Sequence, residues 1–254
     1  MLDISRYLGL PPPASAHAHQ IDFVIGLVHW LMLALFVGWS IYFIYVLYRF
    51  RASKNPIPNY RGTKGTLSKY QEIGVVLAEA ILLAGFSIPL WGQLRHEIPT
   101  DANRIELRVV AEQFAWNVHY PGPDGVFGRT DINLVDLQTN PLGLDRNDPA
   151  ARDDIVTVNE IHVPVNKLVL IHLSSRDVIH SFNLPNMRVK QDAIPGLSIP
   201  VWFRPIRTGD YDIACAQLCG LGHYRMRGHL IVESEEEFQA WLKEQAEMMQ
   251  EYGF

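Results

Sequence analysis

"TVNEIHVPVNKLVLIHLSS", Thr157 to Ser175, reads as two short runs of β-branched and apolar residues alternating with polar ones, parted at Asn166. Alternation at period two sends successive side chains to opposite faces, so the stretch predicts strands. Working outward, similar runs occur at "RIELRVV" (104–110), "FAWNVHY" (114–120), "LSIPVWFRP" (197–205), "GDYDIAC" (209–215) and "RGHLIVE" (227–233). No helical period separates them, and parallel pairing would need crossovers. An all-β sandwich with antiparallel pairing is therefore expected. The segment "PGPDGVFGRTDINLVDLQTNPLGLDRNDPAARDDI" (121–155) is rich in Asp and Gly without periodicity, and should leave the sheet as a long excursion. After the last run, Ser234 with Glu237 three residues on forms a capping box, predicting a short C-terminal helix with Phe238, Trp241 and Leu242 on one face.

Ahead of the strands the chain changes character. "FVIGLVHWLMLALFVGWSIYFIYVLY" (23–48) carries no charge, and "IGVVLAEAILLAGFSIPLWGQL" (73–94) carries only Glu79, with Pro89 near its far end. Each exceeds the about 20 residues that a helix needs to cross a bilayer. The chain should thus divide into a tail with a transmembrane hairpin (1–97) and a soluble domain (98–254). Arg49, Arg51, Lys54, Arg61, Lys64 and Lys69 fall between the spans, with no acid before Glu72. By the positive-inside rule this loop is cytoplasmic, and both termini and the soluble domain lie on the extracytoplasmic side of an inner or plasma membrane, the periplasm in a Gram-negative cell. The first twenty residues lack the pattern of a removed signal peptide, so the first span is expected to act as the signal. From Asp101 onward acids outnumber Lys and Arg, which excludes a basic surface for nucleic acid.

The only two cysteines lie in "CAQLCGLGHYRM" (215–226), where His223 follows Cys219 by four and Met226 by seven. In an oxidising compartment two near cysteines are most simply a disulfide. Thiolate, imidazole and thioether together also form a soft set that suits copper, and "DVIHSF" supplies a further imidazole, His180, at the end of a strand. A one-copper site needs one cysteine. The second is explained if both sulfurs bridge a pair of coppers, with His180 and His223 as terminal ligands and Met226 as a weak one. The alternative is a membrane-anchored copper-handling or thiol-redox protein, although a redox motif would prefer Cys-x-x-Cys at a helix start. Without Cys-x-x-Cys-His, no covalently attached heme c is expected. His119, His162, His172 and His229 sit within strand-like runs with no partner pattern, and are read as structural.

With "SRDVIHSFNLP" (175–185), "KQDAIPG" (190–196) and "GDYDIACAQLCGLGHYRMRG" (209–228) following a membrane hairpin, the chain resembles subunit II of cytochrome c oxidases. That resemblance implies a cupredoxin-like domain holding the dinuclear copper-A center, with Cys215 and Cys219 bridging and the backbone carbonyl of Gln217 as a ligand. It implies that electrons from a cytochrome c pass to heme in subunit I, where oxygen is reduced to water with proton translocation. The position of Gln217 is usually a Glu that also reaches magnesium at the boundary with subunit I. An amide is a weaker ligand for a hard cation, which puts that ion in doubt. Glu72 matches a candidate proton entry but lacks the Trp-Thr pattern that normally follows, so it can equally be an interfacial acid. Glu79 should face a partner or polar cavity. Asp177 can steady the His180 ring or join an acidic docking surface. Arg225 and Arg227 can be solvent-facing or meet heme propionates.

In "EQFAWNVHYPG" the family's usual Gln-Trp-aromatic-Trp is altered. Phe114 takes the place of the exposed Trp that receives the electron, Ala115 follows, and Trp116 keeps the second, packing position. The expected donor is a cytochrome c or a tethered cytochrome c domain, such as one of a quinol-oxidising complex in a supercomplex. Asp124, Asp131, Asp136, Asp145, Asp148, Asp153 and Asp154 of the excursion are expected to form part of its contact.

Overall fold

The computed structural model describes residues 7–57, 60–61, 65–96 and 98–252. Lys64 of the basic loop and residues 1–6 of the tail lie outside them. Two helices long and apolar enough to span a membrane open the chain. The first, α1 (Ala18–Arg49), exposes apolar side chains all round, among them Phe36, Ile41, Ile44 and Leu47. The second is α2 (Thr66–Leu82), continued by a π turn at Leu83–Ser87 into α3 (Ile88–His96). The wide turn falls just before Pro89, which has no N–H to give and whose ring crowds the carbonyl four residues back. Both helices begin before their apolar windows, because helix formation continues through residues such as Gln20 and Ser68 that hydropathy leaves out. Glu72 and Glu79 are exposed on α2.

The second compact unit comprises Pro99 onward together with Gly9–His19 of the tail. Its strands are β1 (Ile105–Glu112), β2 (Ala115–Tyr120), β3 (Ile155–Val158), β4 (Glu160–Pro164) and β5 (Val169–Ser175). They continue as β6 (His180–Leu184), β7 (Val189–Ala193), β8 (Ile199–Phe203), β9 (Gly209–Cys215) and β10 (Arg227–Glu233). One sheet runs β3-β2-β1-β5-β8 and the other β4-β10-β9-β6-β7. Leu107, Trp116, Val118, Ile161, Leu173, Phe182 and Phe203 fill the space between, all 0% exposed. The sandwich is as expected, but its pairing is mixed. β1 pairs with β5, and β4 with β10, in parallel. The crossovers are supplied by strands that change sheet, so no helix was needed to signal them.

One such change occurs inside the opening stretch. "TVNEIHVPV" reads as one strand, yet Asn159 takes a left-handed backbone (φ 61°) and divides it into β3 of one sheet and β4 of the other. Asn tolerates that conformation better than most residues. Its N–H donates to Trp116 O at 2.7 Å, its Oδ1 accepts from Trp116 N–H at 2.8 Å, and its carbonyl accepts from His229 N–H at 2.8 Å. The crossing is thereby pinned to both sheets. β6 and β7 were not among the strands read from periodicity. β7, "VKQDA", buries only its two ends, so it shows little apolar alternation.

The excursion is anchored rather than loose. Leu142, Leu144 and Ala151 are buried, and Asp154, fully buried, accepts from Gly128 N–H and pairs with His119 Nε2 at 2.6 Å. The tail likewise lies on the sandwich. Ala14 N–H donates to Asn186 O, Ile206 N–H to Ala14 O, and the buried Ser15 hydroxyl to Met187 O at 2.7 Å. The expected capping box opens α4 (Glu235–Tyr252), with Ser234 N–H on Glu237 Oε2 and Glu237 N–H on Ser234 Oγ. Trp241 of α4 stacks on His162 at 4.1 Å between ring centroids.

Candidate metal centre

Three segments converge at one end of the sandwich. His180 opens β6, Cys215 closes β9, and Cys219, His223 and Met226 follow in the loop that leads into β10. His180 stands at a strand terminus as expected, the first residue of β6 after the chain bends at 176–179. The loop is closed at its base by Cys215 N–H on Met226 O (3.2 Å) and tied to β6 by Ala216 N–H on Ser181 O (2.9 Å). Backbone pairing thus brings together side chains distant in sequence.

Among the described residues, His180, Cys215 and Cys219 present ligand atoms within 4.8 Å of one another. The two Sγ atoms are thiols 3.8 Å apart, far beyond the about 2.05 Å of a disulfide. His180 Nδ1 lies 3.2 Å from Met226 Sδ, which in turn is 3.8 Å from Cys219 Sγ. His223 Nδ1 is 3.7 Å from Cys219 Sγ, and the Gln217 carbonyl is 3.1 Å from Cys215 Sγ. His180, Cys219 and Met226 are 0%, 4% and 3% exposed, so this half of the site is dry. Gln217 is exposed.

Asp177 fixes the His180 ring. Its Oδ1 sits 2.8 Å from Nε2, which leaves Nδ1 free to face the sulfurs, the arrangement expected of a metal-binding imidazole. Burial alone would raise the Asp177 pKa, but hydrogen bonds from His180, Val178 N–H and Gln113 N–H outweigh it and hold the carboxyl below its usual range. Burial, with Cys215 beside it, pushes the Cys219 thiol up to about 11. Without a cation the loop therefore keeps that proton, and metal binding must release it. Two soft sulfurs, two imidazoles, a thioether and one carbonyl make a donor set that fits copper.

The other histidines of the strands have carboxylate partners, which the sequence pattern did not show. His162 lies between Glu160 and Glu233, His172 faces Glu106, and His229 faces Asp210. Arg227 pairs with Asp212, and Arg225 is exposed. Trp116 is fully buried, with its ring 6.2 Å from that of His180 and 5.3 Å from Phe182. Phe114 does not stand clear of the surface. It is half-buried, its ring lying on the backbone of Gly220 and Gly222 in the ligand loop, where a side chain on either glycine would collide with it. Of the excursion's acids, Asp154 is buried and Asp145 is 9% exposed and bonded to Arg129, so neither offers docking charge. Gln113, not singled out by its residue type, joins the site through its side-chain amide on Cys219 O at 2.6 Å.

A family model described as "Cytochrome C oxidase subunit II, periplasmic domain" matches residues 105–234. The alternative cytochrome c oxidase subunit 2 of Bradyrhizobium diazoefficiens is 35% identical over 234 residues, covering 92% of this chain and 83% of the relative. Cytochrome c oxidase subunit 2 of Cereibacter sphaeroides is 31% identical, covering 93% and 79%. Among solved structures, the periplasmic domain of subunit II of cytochrome oxidase of Bradyrhizobium japonicum is 30% identical, covering 59% of this chain and 99% of that one, with a TM-score of 0.44.

Proposed function

Because the chain belongs to the cytochrome c oxidase subunit II family, we propose that it is the electron-entry subunit of a heme-copper oxidase, holding copper-A between Cys215 and Cys219. The convergence of both thiols with His180 carries this reading. Bound there, the copper pair would accept one electron at a time and pass it on to heme in subunit I, where oxygen is reduced to water and protons are moved. The chain's own part is to hold and orient. His180 and Met226 would serve one copper, His223 and the Gln217 carbonyl the other, and Asp177 would keep the His180 ring aligned. Leu218, Leu221 and Tyr224 of the same loop, 79%, 98% and 86% exposed, give it an apolar surface that suits burial against partners. Full-length protein given copper should take up a pair per chain with an intense visible and near-infrared signature. Cys215→Ser and Cys219→Ser should each lose it, since one thiolate cannot bridge. A colourless protein with an intact disulfide would instead favour the copper-handling or thiol-redox reading.

The hydrogen bonds that Ala14 and Ser15 make with the sandwich support a common side of the membrane for the tail and the copper domain, and the basic loop between the two apolar helices supports the extracytoplasmic one. The Gln217 amide is a poor hard-cation ligand, so the boundary magnesium is not part of the proposal, and Glu72 as a proton entry rests on family resemblance alone.

For the donor, the excursion offers exposed Ile132 and Leu137, 72% and 71% exposed, beside Asp131 and Asp136. Arg176, next to Asp177, donates to Pro141 O at 2.6 Å and so ties this segment to the copper end. We read it as part of the contact with a cytochrome c, soluble or tethered within a supercomplex with a quinol-oxidising complex. Asp131→Asn with Asp136→Asn keeps the oxygens that cap local N–H groups while removing charge. It should raise KM for a basic soluble cytochrome c and flatten its salt dependence, with kcat little changed. An unchanged KM and salt slope would remove the excursion from the contact. Faster turnover with quinol in intact membranes than with soluble donor would support the tether.

A further inference from the structure

β1 and β2 are joined by a turn of two residues, Gln113 and Phe114, and that turn is bonded on both flanks to the metal loop's supports. On one side the Gln113 backbone N–H donates to Asp177 Oδ2 at 2.7 Å, while Asp177 Oδ1 holds His180 Nε2. On the other the Gln113 side-chain N–H donates to the Cys219 carbonyl at 2.6 Å. Next to that carbonyl, Gly220 has φ +137°, a backbone that other residues rarely adopt, and a Cβ there would come within 2.6 Å of Gln113 Nε2. The close approach of the amide to the loop thus depends on glycine. Phe114 lies over Gly220 and Gly222 from the same turn. The turn itself is held by Arg176, whose N–H donates to Ala111 O and whose guanidinium pairs with Glu112.

We propose that Gln113 is a positioning residue of the metal centre, setting the orientation of a thiolate ligand through the Cys219 carbonyl and of an imidazole ligand through Asp177. The proposal rests on the copper-A reading and extends it to a residue that touches no ligand atom. The backbone half of the bridge is indifferent to side chain, so the amide donor alone is tested by substitution. Gln113→Met keeps length and volume but cannot donate. Gln113→Glu puts an acceptor against an acceptor.

The first measurement needs no metal. In copper-free full-length protein, amide hydrogen exchange at His223, Arg225 and Met226, whose N–H groups are bonded within the loop, should be roughly five- to tenfold faster in Gln113→Met, the equivalent of one lost hydrogen bond. It should be faster still in Gln113→Glu, while core amides of β5 and β8 stay unchanged. After copper loading, both variants should bind the same amount of metal but release it to a chelator several-fold faster, with a displaced absorption band and midpoint potential. Exchange equal to wild type in both variants overturns the proposal whatever the metal does. Faster exchange with unaltered band, potential and release rate also overturns it, since the residue would then steady the loop without positioning ligands. If wild type binds no copper pair, the copper-A reading fails on its own account, a result distinguishable from either of these.

Discussion

At the scale of single residues, atom type decides what each ligand position tolerates. Gln217 offers its peptide oxygen to the sulfur site and leaves its side chain exposed. Gln217→Ala should therefore retain the copper spectrum, and Gln217→Glu should raise affinity for magnesium or manganese at a subunit boundary without changing copper. Equal affinity for the hard cation in both would show that the side chain does not reach it. Met226 is nearly buried and lies beside both His180 and Cys219. A thioether is a weak ligand, so Met226→Leu should keep copper and shift its potential, while complete loss of metal would rank Met226 with the thiols. The residue types at these positions were legible in the sequence. Gln113 was not, because its role comes from the turn it occupies and from a carbonyl more than a hundred positions away.

At the scale of elements, the strap Gly9–His19 and the excursion show how segments without periodicity become ordered. Hydrogen bonds to Asn186, Met187 and Ile206 fix the strap, and His17 is 7% exposed beside Trp202, ring centroids 5.4 Å apart. Burial lowers the His17 pKa below its ordinary value, and a bond with the Met187 backbone offsets part of this. The released strap thus binds a proton more readily than the docked one. Docking is fully favoured above the ordinary histidine value of about 6.5 and weakens as pH falls through it toward the depressed one. Exchange at Ala14, Ala16 and Ile206 amides should accordingly be faster, relative to intrinsic rates, at pH 5 than at pH 7.5, and His17→Phe should flatten that difference. A strap equally protected at both values would mean that His17 is protonated without leaving. Neither feature was readable beforehand, since prolines and aspartates signal only departure from regular structure.

At the scale of the whole molecule, the sandwich and the metal loop have different sources of order. Apolar side chains from both sheets make up most of the core; of the candidate ligands, Cys219 and Met226 join it, Cys215 packs against it and His180 is buried beside Trp116. Removing copper with a chelator should leave the β-sheet circular dichroism intact and the unfolding transition cooperative, with Tm lowered by about 2–4 °C for each kcal/mol of binding energy withdrawn. Loss of sheet signal on chelation would mean that the core needs the metal, as small zinc domains do.

Local pattern in the sequence determined the two long apolar helices, most strands, the capped C-terminal helix, and the kind and order of candidate ligands from Cys215 to Met226, because each depends on residues within a few positions of one another. Its likeness to a known family supplied the proposal of a copper pair. Tertiary structure alone decided that Asn159 carries the chain from one sheet to the other, that two strand pairs run parallel, and that Phe114 lies on the ligand loop. It also brought His180 against Met226 across 46 positions. These depend on which surfaces pack together once the strands exist, and hydrophobic alternation marks the face of a strand that is buried but not the partner that buries it.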